Sequence, residues 1–463
     1  MEKLYIYFYR FLIKKGVTLF FLFSFVTVSF YSQNEGFKLP SKVKTDKIKF
    51  KLANNLIVVP MTLNGVELSF LLDTGVGSTI IFSLDSKDSL ELRGASRIFL
   101  RGLGDGEPVQ AIKSTNNKLK IGKAISQNHT VYLVLDESIN FSPQMGFPIH
   151  GIIGYDFFKE FIVGIDYSSR YIKINDPKRY VYKECKKCFE TKLDFNDGKR
   201  PFVVAKYEFN DELIDIKLLL DSGSGSALWL FENKQKKIEV PKYSFEDFLG
   251  KGFNGEIYGR KTKINGLHIG DFVMKRVTTS FPDSIYIKGI SVSDRQGSLG
   301  GGVLRRFNLI IDYPNKRISF KRNGFFKKPF TYNMSGLTVQ HTGIRVAKGF
   351  FPKEKKRKPF GDFAFRENSG AATVVSVEAQ TSGYRYSLQP NYEVAEVRLG
   401  SPAYIAGVKK GDVLLEVNGR PAYNYSLSDL NDLFYSEPGR KIRILIERSG
   451  QEIKYVFYLQ KVL

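Results

Sequence analysis

Cysteine is nearly absent: Cys185 and Cys188 are the only two among 463 residues. Two thiols cannot build a disulfide-stapled scaffold or a four-thiolate metal site. Histidine is scarce as well. His129, His150, His268 and His341 stand far apart and form no ligand spacing with the cysteines, so neither a metal nor another cofactor is expected. The Cys-x-x-Cys pair leaves two readings, a local disulfide in a connecting loop or a redox site. No thioredoxin-like pattern surrounds it, and the disulfide is the expectation. No Ser–His or Cys–His pairing of nucleophile and base stands out either. Long apolar runs are missing beyond one near the N-terminus. With 43% hydrophobic and 25% charged residues, the chain is neither a polytopic membrane protein nor wholly disordered.

The length points to about three domains. Lys3, Arg10, Lys14 and Lys15 precede an apolar run from Val17 to Phe30, and polar sequence begins at Ser32. Residues 1–32 therefore read as a signal peptide. An uncleaved anchor is the other reading, because Phe30 and Ser32 meet the small-residue cleavage rule poorly. Both place the remaining chain outside the cytoplasm, in the periplasm, the cell envelope or the medium. The formal net charge of +23 comes from scattered basic residues. Runs such as Lys353 to Lys358 read as a solvated loop, so nucleic acid is not an expected partner; membrane association through an anionic surface stays open.

Residues 48–176 and 203–322 repeat the same landmarks in the same order. Asn64 through Gly75 aligns with Glu212 through Gly223, with Asp73 and Asp221 offset by 148. Lys120-Ile121-Gly122 matches His268-Ile269-Gly270 at the same offset. Ile153-Gly154 matches Leu299-Gly300, and Ile165-Asp166-Tyr167 matches Ile311-Asp312-Tyr313, both offset by 146. So long a period excludes a solenoid and implies two homologous lobes. Short apolar or alternating runs between Gly, Asn, Asp and Ser turns make each lobe β-rich, with brief amphipathic pieces such as Asp156–Glu160 supplying one short helix per lobe. The lobes are expected at 40–178 and 193–323, with a linker at 179–192.

Asp73 and Asp221 each end an apolar strand and precede a small hydroxyl residue and a glycine. A lone Asp-Thr/Ser-Gly fits a plain turn; the tandem copy favours a paired site. Two such loops meeting at a pseudo-twofold axis would bring both carboxylates to one water. Like charges at that range share a proton, so one carboxylate acts as base while its protonated partner polarises a carbonyl.

Leu71-Leu72-Asp73-Thr74-Gly75 and Leu219-Leu220-Asp221-Ser222-Gly223, with Ile152-Ile153-Gly154 and Ser298-Leu299-Gly300, resemble the aspartic peptidases of the pepsin and retropepsin type. The resemblance implies a mainly β fold of two retropepsin-like lobes forming a pepsin-like bilobal unit, acting as an endopeptidase on polypeptides. It makes Asp73 and Asp221 the catalytic dyad, and Thr74 and Ser222 cross-bonding residues. Gly75 and Gly223 belong to the catalytic loops, and Gly154 and Gly300 pack behind them. Val76 stands where pepsin-like enzymes carry a serine, whereas Ser224 is present in the second motif. Losing that hydrogen bond implies a pH optimum less acidic than pepsin's. Gly104, Asp105 and Gly106, with Asn254 and Gly255, are candidates for mobile flaps, or else ordinary glycine-rich turns.

Val394 through Gly419 resembles bacterial PDZ domains, most strongly from Gly400 to Gly419. Ser401-Pro402 starts a short helix that Gly407 ends, Gly411-Asp412 turns into a strand closed by Asn418-Gly419, and Ser426-x-x-Asp429 caps a second helix. The domain is expected at 331–463, a small α/β barrel-like unit with an insertion at about 342–391. In that family a loop before one strand binds a peptide's terminal carboxylate and the peptide adds as a strand. Ser335, Gly336 and Leu337 are the candidates here, for a peptide C-terminus or an extended segment.

Overall fold

The computed structural model describes residues 36–84, 90–100, 106–136, 138–195, 198–252, 254–288, 295–350 and 384–463. The N-terminal apolar segment, Gly104, Asp105 and the middle of the expected insertion lie outside the described residues.

The chain is mainly β. An 8-stranded sheet is built from residues 51–153 and a 7-stranded sheet from 202–300. Apart from one extra edge strand, Lys51–Ala53, the two sheets have the same strand order. In each, the strand that leads into an aspartate (Val66–Leu72 or Glu212–Asp221) lies between an antiparallel neighbour and a short parallel strand. The parallel partners are Gly151–Ile153 and Gly297–Gly300. Phe70, Leu72, Leu218 and Leu220 are buried, so each strand runs through the core before presenting its carboxylate.

A third, 6-stranded sheet joins the halves. Its centre is Ile162–Asp166 paired antiparallel with Phe307–Asp312, and Gly164 faces Ile310. That register sets each residue opposite the repeat counterpart of its mirror position, so the offset of 146 appears as a local twofold. The outer strands correspond too: Thr45–Lys49 pairs with Tyr171–Asn175, and Cys188–Lys192 with Arg317–Arg322. The last part of the expected linker is thus a strand, Cys188–Lys192, and a disulfide ties its first residue, Cys188, to Cys185. One hydrophobic cluster runs through both halves, from Phe37 to Phe330.

Residues 332–463 have a separate core around Leu337, Val394, Leu430, Phe434 and Ile444. Its sheet runs Leu337–Phe350, Tyr384–Val397, Val413–Val417, Lys441–Arg448, Gln451–Tyr458. The first two strands form a long hairpin, so both ends of the expected insertion continue the sheet. Local chemistry accounts for the turns. The Ser401 hydroxyl accepts from the Tyr404 amide to start Pro402–Ala406, and Gly407 ends that helix at φ 97°. Asn418 and Gly419 take the two positive φ angles of a tight hairpin. Ser426 and Asp429 form a reciprocal capping box on the helix Leu427–Phe434.

Candidate active site

Thr74 and Ser222 join the two Asp loops by four hydrogen bonds. The Thr74 amide donates to Ser222 Oγ at 3.0 Å, and the Ser222 amide to Thr74 Oγ1 at 3.0 Å. Thr74 Oγ1 donates to the Leu220 carbonyl at 2.6 Å, and Ser222 Oγ to the Leu72 carbonyl at 2.8 Å. Both side chains are buried, where a hydroxyl without partners would be costly. The lattice fixes the loops against each other directly beneath the carboxylates.

Above it, each loop's glycine faces the other loop's acid. A Cβ on Gly223 would lie 2.2 Å from the Asp73 carboxyl carbon, and one on Gly75 would lie 3.4 Å from Asp221 Oδ1. The Gly75 amide donates to Asp73 Oδ1 at 2.7 Å, and the Gly223 amide also serves Asp73. Asp221 accepts from the amides of Ser224 and Gly223. Burial pushes the Asp73 carboxyl up to about 7, helped by the charge of Asp221 and opposed by the two amides and Arg200. Asp221 is also raised by burial, against Arg295, its own two amides and Arg200. Both carboxylates stay partly open to the cleft while protein surrounds their other sides. Such a pair holds one proton between them at mildly acidic pH.

Behind the loops, Gly154 and Gly300 sit where no side chain fits. A Cβ on Gly154 would come 2.2 Å from the Asp73 carbonyl, and one on Gly300 2.2 Å from the Ser226 carbonyl. The equivalence extends to the next residue: the Tyr155 amide donates to Val76 O at 3.0 Å, and the Gly301 amide to Ser224 O at 2.7 Å.

The two flap-candidate hairpins meet. Ser96–Leu100 with Val109–Ile121 forms one, and Phe245–Gly252 with Gly255–Ile269 the other. The Gly106 amide donates to the Asn254 carbonyl at 2.8 Å, and Asn254 Nδ2 to the Glu107 carbonyl at 2.5 Å. A Cβ on Gly106 would stand 2.7 Å from that Asn254 carbonyl, so glycine permits the contact. Gly255 opens the returning strand at φ 119°.

A cleft of about 1300 Å³ holds Asp73 and Asp221 and is lined further by Arg200, Trp229, Tyr286 and Arg295. It exceeds the size range of ordinary small-molecule sites. It continues to Leu337, Thr338 and Val339, to the helix residues Ser428, Asn431 and Asp432, and to Tyr435 just past that helix. Among the described residues, no group of three His, Cys, Asp or Glu side chains is arranged to hold a metal ion.

The candidate carboxylate-binding loop is occupied from within. Asn333 Oδ1 accepts from the amides of Ser335 and Gly336, each at 3.0 Å, and from Ser335 Oγ at 2.7 Å. The Leu337 amide donates to Ser335 Oγ at 3.0 Å, while Asn333 Nδ2 donates to the Leu337 carbonyl at 2.6 Å.

Sequence reasoning missed Arg200, Arg295, Asn333 and Tyr313. The first two carry no signal among 70 lysines and arginines. Tyr313, which donates its hydroxyl to the Thr74 carbonyl at 3.1 Å, stood inside the repeated Ile-Asp-Tyr and was traceable from it.

Paired Asp loops on matching sheets, joined through their hydroxyl residues, define an aspartyl protease architecture. Residues 59–157 match the family model described as aspartyl protease, and residues 393–448 the one described as PDZ domain. The chain thus carries an aspartyl protease domain and, toward its C-terminal end, a PDZ domain. No curated protein matches it.

Proposed function

We propose that the chain is an exported aspartic endopeptidase in which Asp73 and Asp221 activate one water between two retropepsin-like lobes. The observation that carries this reading is the lattice of Thr74 and Ser222, which holds two raised carboxyls at one site. Arg295 and two amides favour the ionised form of Asp221, and Asp73, raised to about 7, keeps the shared proton. Asp221 then takes a proton from water as its oxygen attacks the peptide carbonyl carbon, while Asp73 donates its proton to the carbonyl oxygen. Collapse of the tetrahedral diol breaks the C–N bond. The proton on Asp221 passes to the leaving amine, and a diol hydroxyl returns one to Asp73. The hairpins meeting through Gly106 and Asn254 serve as flaps that open for an extended polypeptide.

The domains run 40–178, 193–323 and 331–463, with the strand 188–192 completing the second lobe. The basic and then apolar start of the chain supports export. Among the described residues no helix is long and apolar enough to cross a membrane. The PDZ domain recruits substrate or regulates access.

The test is cleavage of a diverse peptide library by the purified chain lacking residues 1–32. Asp73→Asn and Asp221→Asn are each expected to abolish cleavage, and a statine-type inhibitor to block the parent protein. Activity unchanged in both variants overturns the mechanism. A parent protein that binds peptides and cleaves none indicates a non-catalytic envelope scaffold.

A further inference from the structure

The PDZ domain meets the protease halves along the groove between its first strand, Leu337–Phe350, and its helix Leu427–Phe434. At the outer end of that groove the short helix Ser142–Met145 lies against the strand. The following Gly146 abuts Leu427: a Cβ there would be 3.1 Å from Leu427 Cδ1. Asn431 Nδ2 donates to Asn54 Oδ1 at 3.1 Å, a second link to the first half. At the inner end, the amides that could hold a chain terminus are satisfied by Asn333. Its side-chain amide accepts from two backbone N–H groups and donates to the Leu337 carbonyl, as the end of a bound peptide would. Between these ends, Thr338 on the strand and Ser428, Asn431, Asp432 and Tyr435 line the same cleft as Asp73 and Asp221.

We propose that the PDZ domain does not capture chain ends and is instead an outer subsite of the protease cleft, holding an internal, extended stretch of the polypeptide that reaches the paired aspartates. The occupant follows from continuity: anything lying along Thr338 and Asp432 is in the same space as the carboxylates. This inference deepens the peptidase reading and rests on it for the fate of the bound chain, but its binding can be read without turnover.

The experiment uses the chain lacking residues 1–32 with Asp73→Asn and Asp221→Asn together, labelled with a fluorophore. It is applied to arrays of random peptides about 12 residues long, anchored either by the N-terminus, leaving a free carboxylate, or by the C-terminus. Equal signal on both arrays, within about twofold, is expected. Signal at least about tenfold stronger on free carboxylates, or on neither array, overturns the proposal. Ser428→Trp and, independently, Asp432→Trp fill the groove at exposed helix positions and are expected to lower binding at least about fivefold. Undiminished binding in both overturns the subsite. Asn333→Ala exposes the Ser335 and Gly336 amides and should create a preference of about threefold or more for free carboxylates; no such gain contradicts the role given to Asn333. Retained array binding beside an inactive parent protein defeats the peptidase reading alone.

Discussion

A carboxyl held protonated by burial gives two separate readouts. In Asp73 the folded value, about 7, lies above the ordinary 3.8. The stability this contributes is complete below the unfolded value and is lost as pH rises through the folded one. Asp73→Asn removes that loss, so above pH ~7 the variant should melt above the parent protein by several degrees in calorimetry while losing cleavage by about 10³-fold or more. Cleavage by the parent protein should peak in mildly acidic solution and fall as Asp73 ionises; a maximum near pH ~2 would contradict the shared proton. His129 acts on the other side. Burial, with the charge of Lys159, lowers it to about 3, and its Nε2 lies 2.7 Å from Thr79 Oγ1. A depressed histidine contributes stability that is complete above its unfolded value of about 6.5 and is lost as pH falls toward 3. His129→Gln should therefore flatten the acid side of a plot of melting temperature against pH; an unchanged slope between pH ~6 and ~4 would count against it.

Between elements, the geometry depends on hydrogen bonds that cross the repeat. Thr74→Val and Ser222→Ala each strand two buried partners, so each should cost on the order of 1–3 kcal/mol in urea unfolding and lower kcat by loosening the loops. The double variant should cost less than the sum of the singles, because both remove parts of one lattice. Full additivity would show that the loops are held by something else. The two sites of this lattice were legible, since an Asp-Thr/Ser-Gly turn after an apolar strand is local and its second copy came at a constant offset. That the two halves would be β-rich copies of one another was legible for the same reason, whereas their strand order was not, because strand pairing leaves no local signal. The Gly106–Asn254 contact was not, because two loop tips far apart in the chain leave no spacing that ties them together. Asn333 was equally silent: an asparagine before Met334-Ser335-Gly336 has the composition of any turn, and its amide is committed only once the loop closes on it.

At the scale of the whole molecule, the PDZ domain is docked on the base of the hairpin formed by Phe245–Gly252 and Gly255–Ile269 by a charge cluster that no periodicity announced. Lys261 Nζ lies 2.6 Å from Asp247 Oδ2 on that hairpin, and Arg398 of the PDZ domain lies 3.9 Å from Asp247 Oδ1. Arg398 also covers the Phe245 ring at 4.3 Å, and Phe245 packs on Tyr332 with centroids 5.6 Å apart. Burial alone would drive the Lys261 ammonium toward neutrality; Asp247 outweighs it, aided by Tyr435, and the net shift is upward. Asp247 therefore sits between one cation of the hairpin and one of the PDZ domain. Asp247→Ala leaves both without it in a largely buried contact, and breaking a fully buried pair typically costs ~3–5 kcal/mol, an upper bound here. The exposed Lys410–Glu256 pair, 4.0 Å apart across the same contact, is worth ~0–1 kcal/mol. Asp247→Ala should therefore separate the domains and raise the radius of gyration in small-angle scattering, while Lys410→Ala should not. Because the helix Leu427–Phe434 would leave the cleft with its domain, Asp247→Ala should also raise KM for long substrates. A variant that stays compact with an unchanged KM would mean that apolar packing around Phe245, and not the charge cluster, holds the PDZ domain over the cleft.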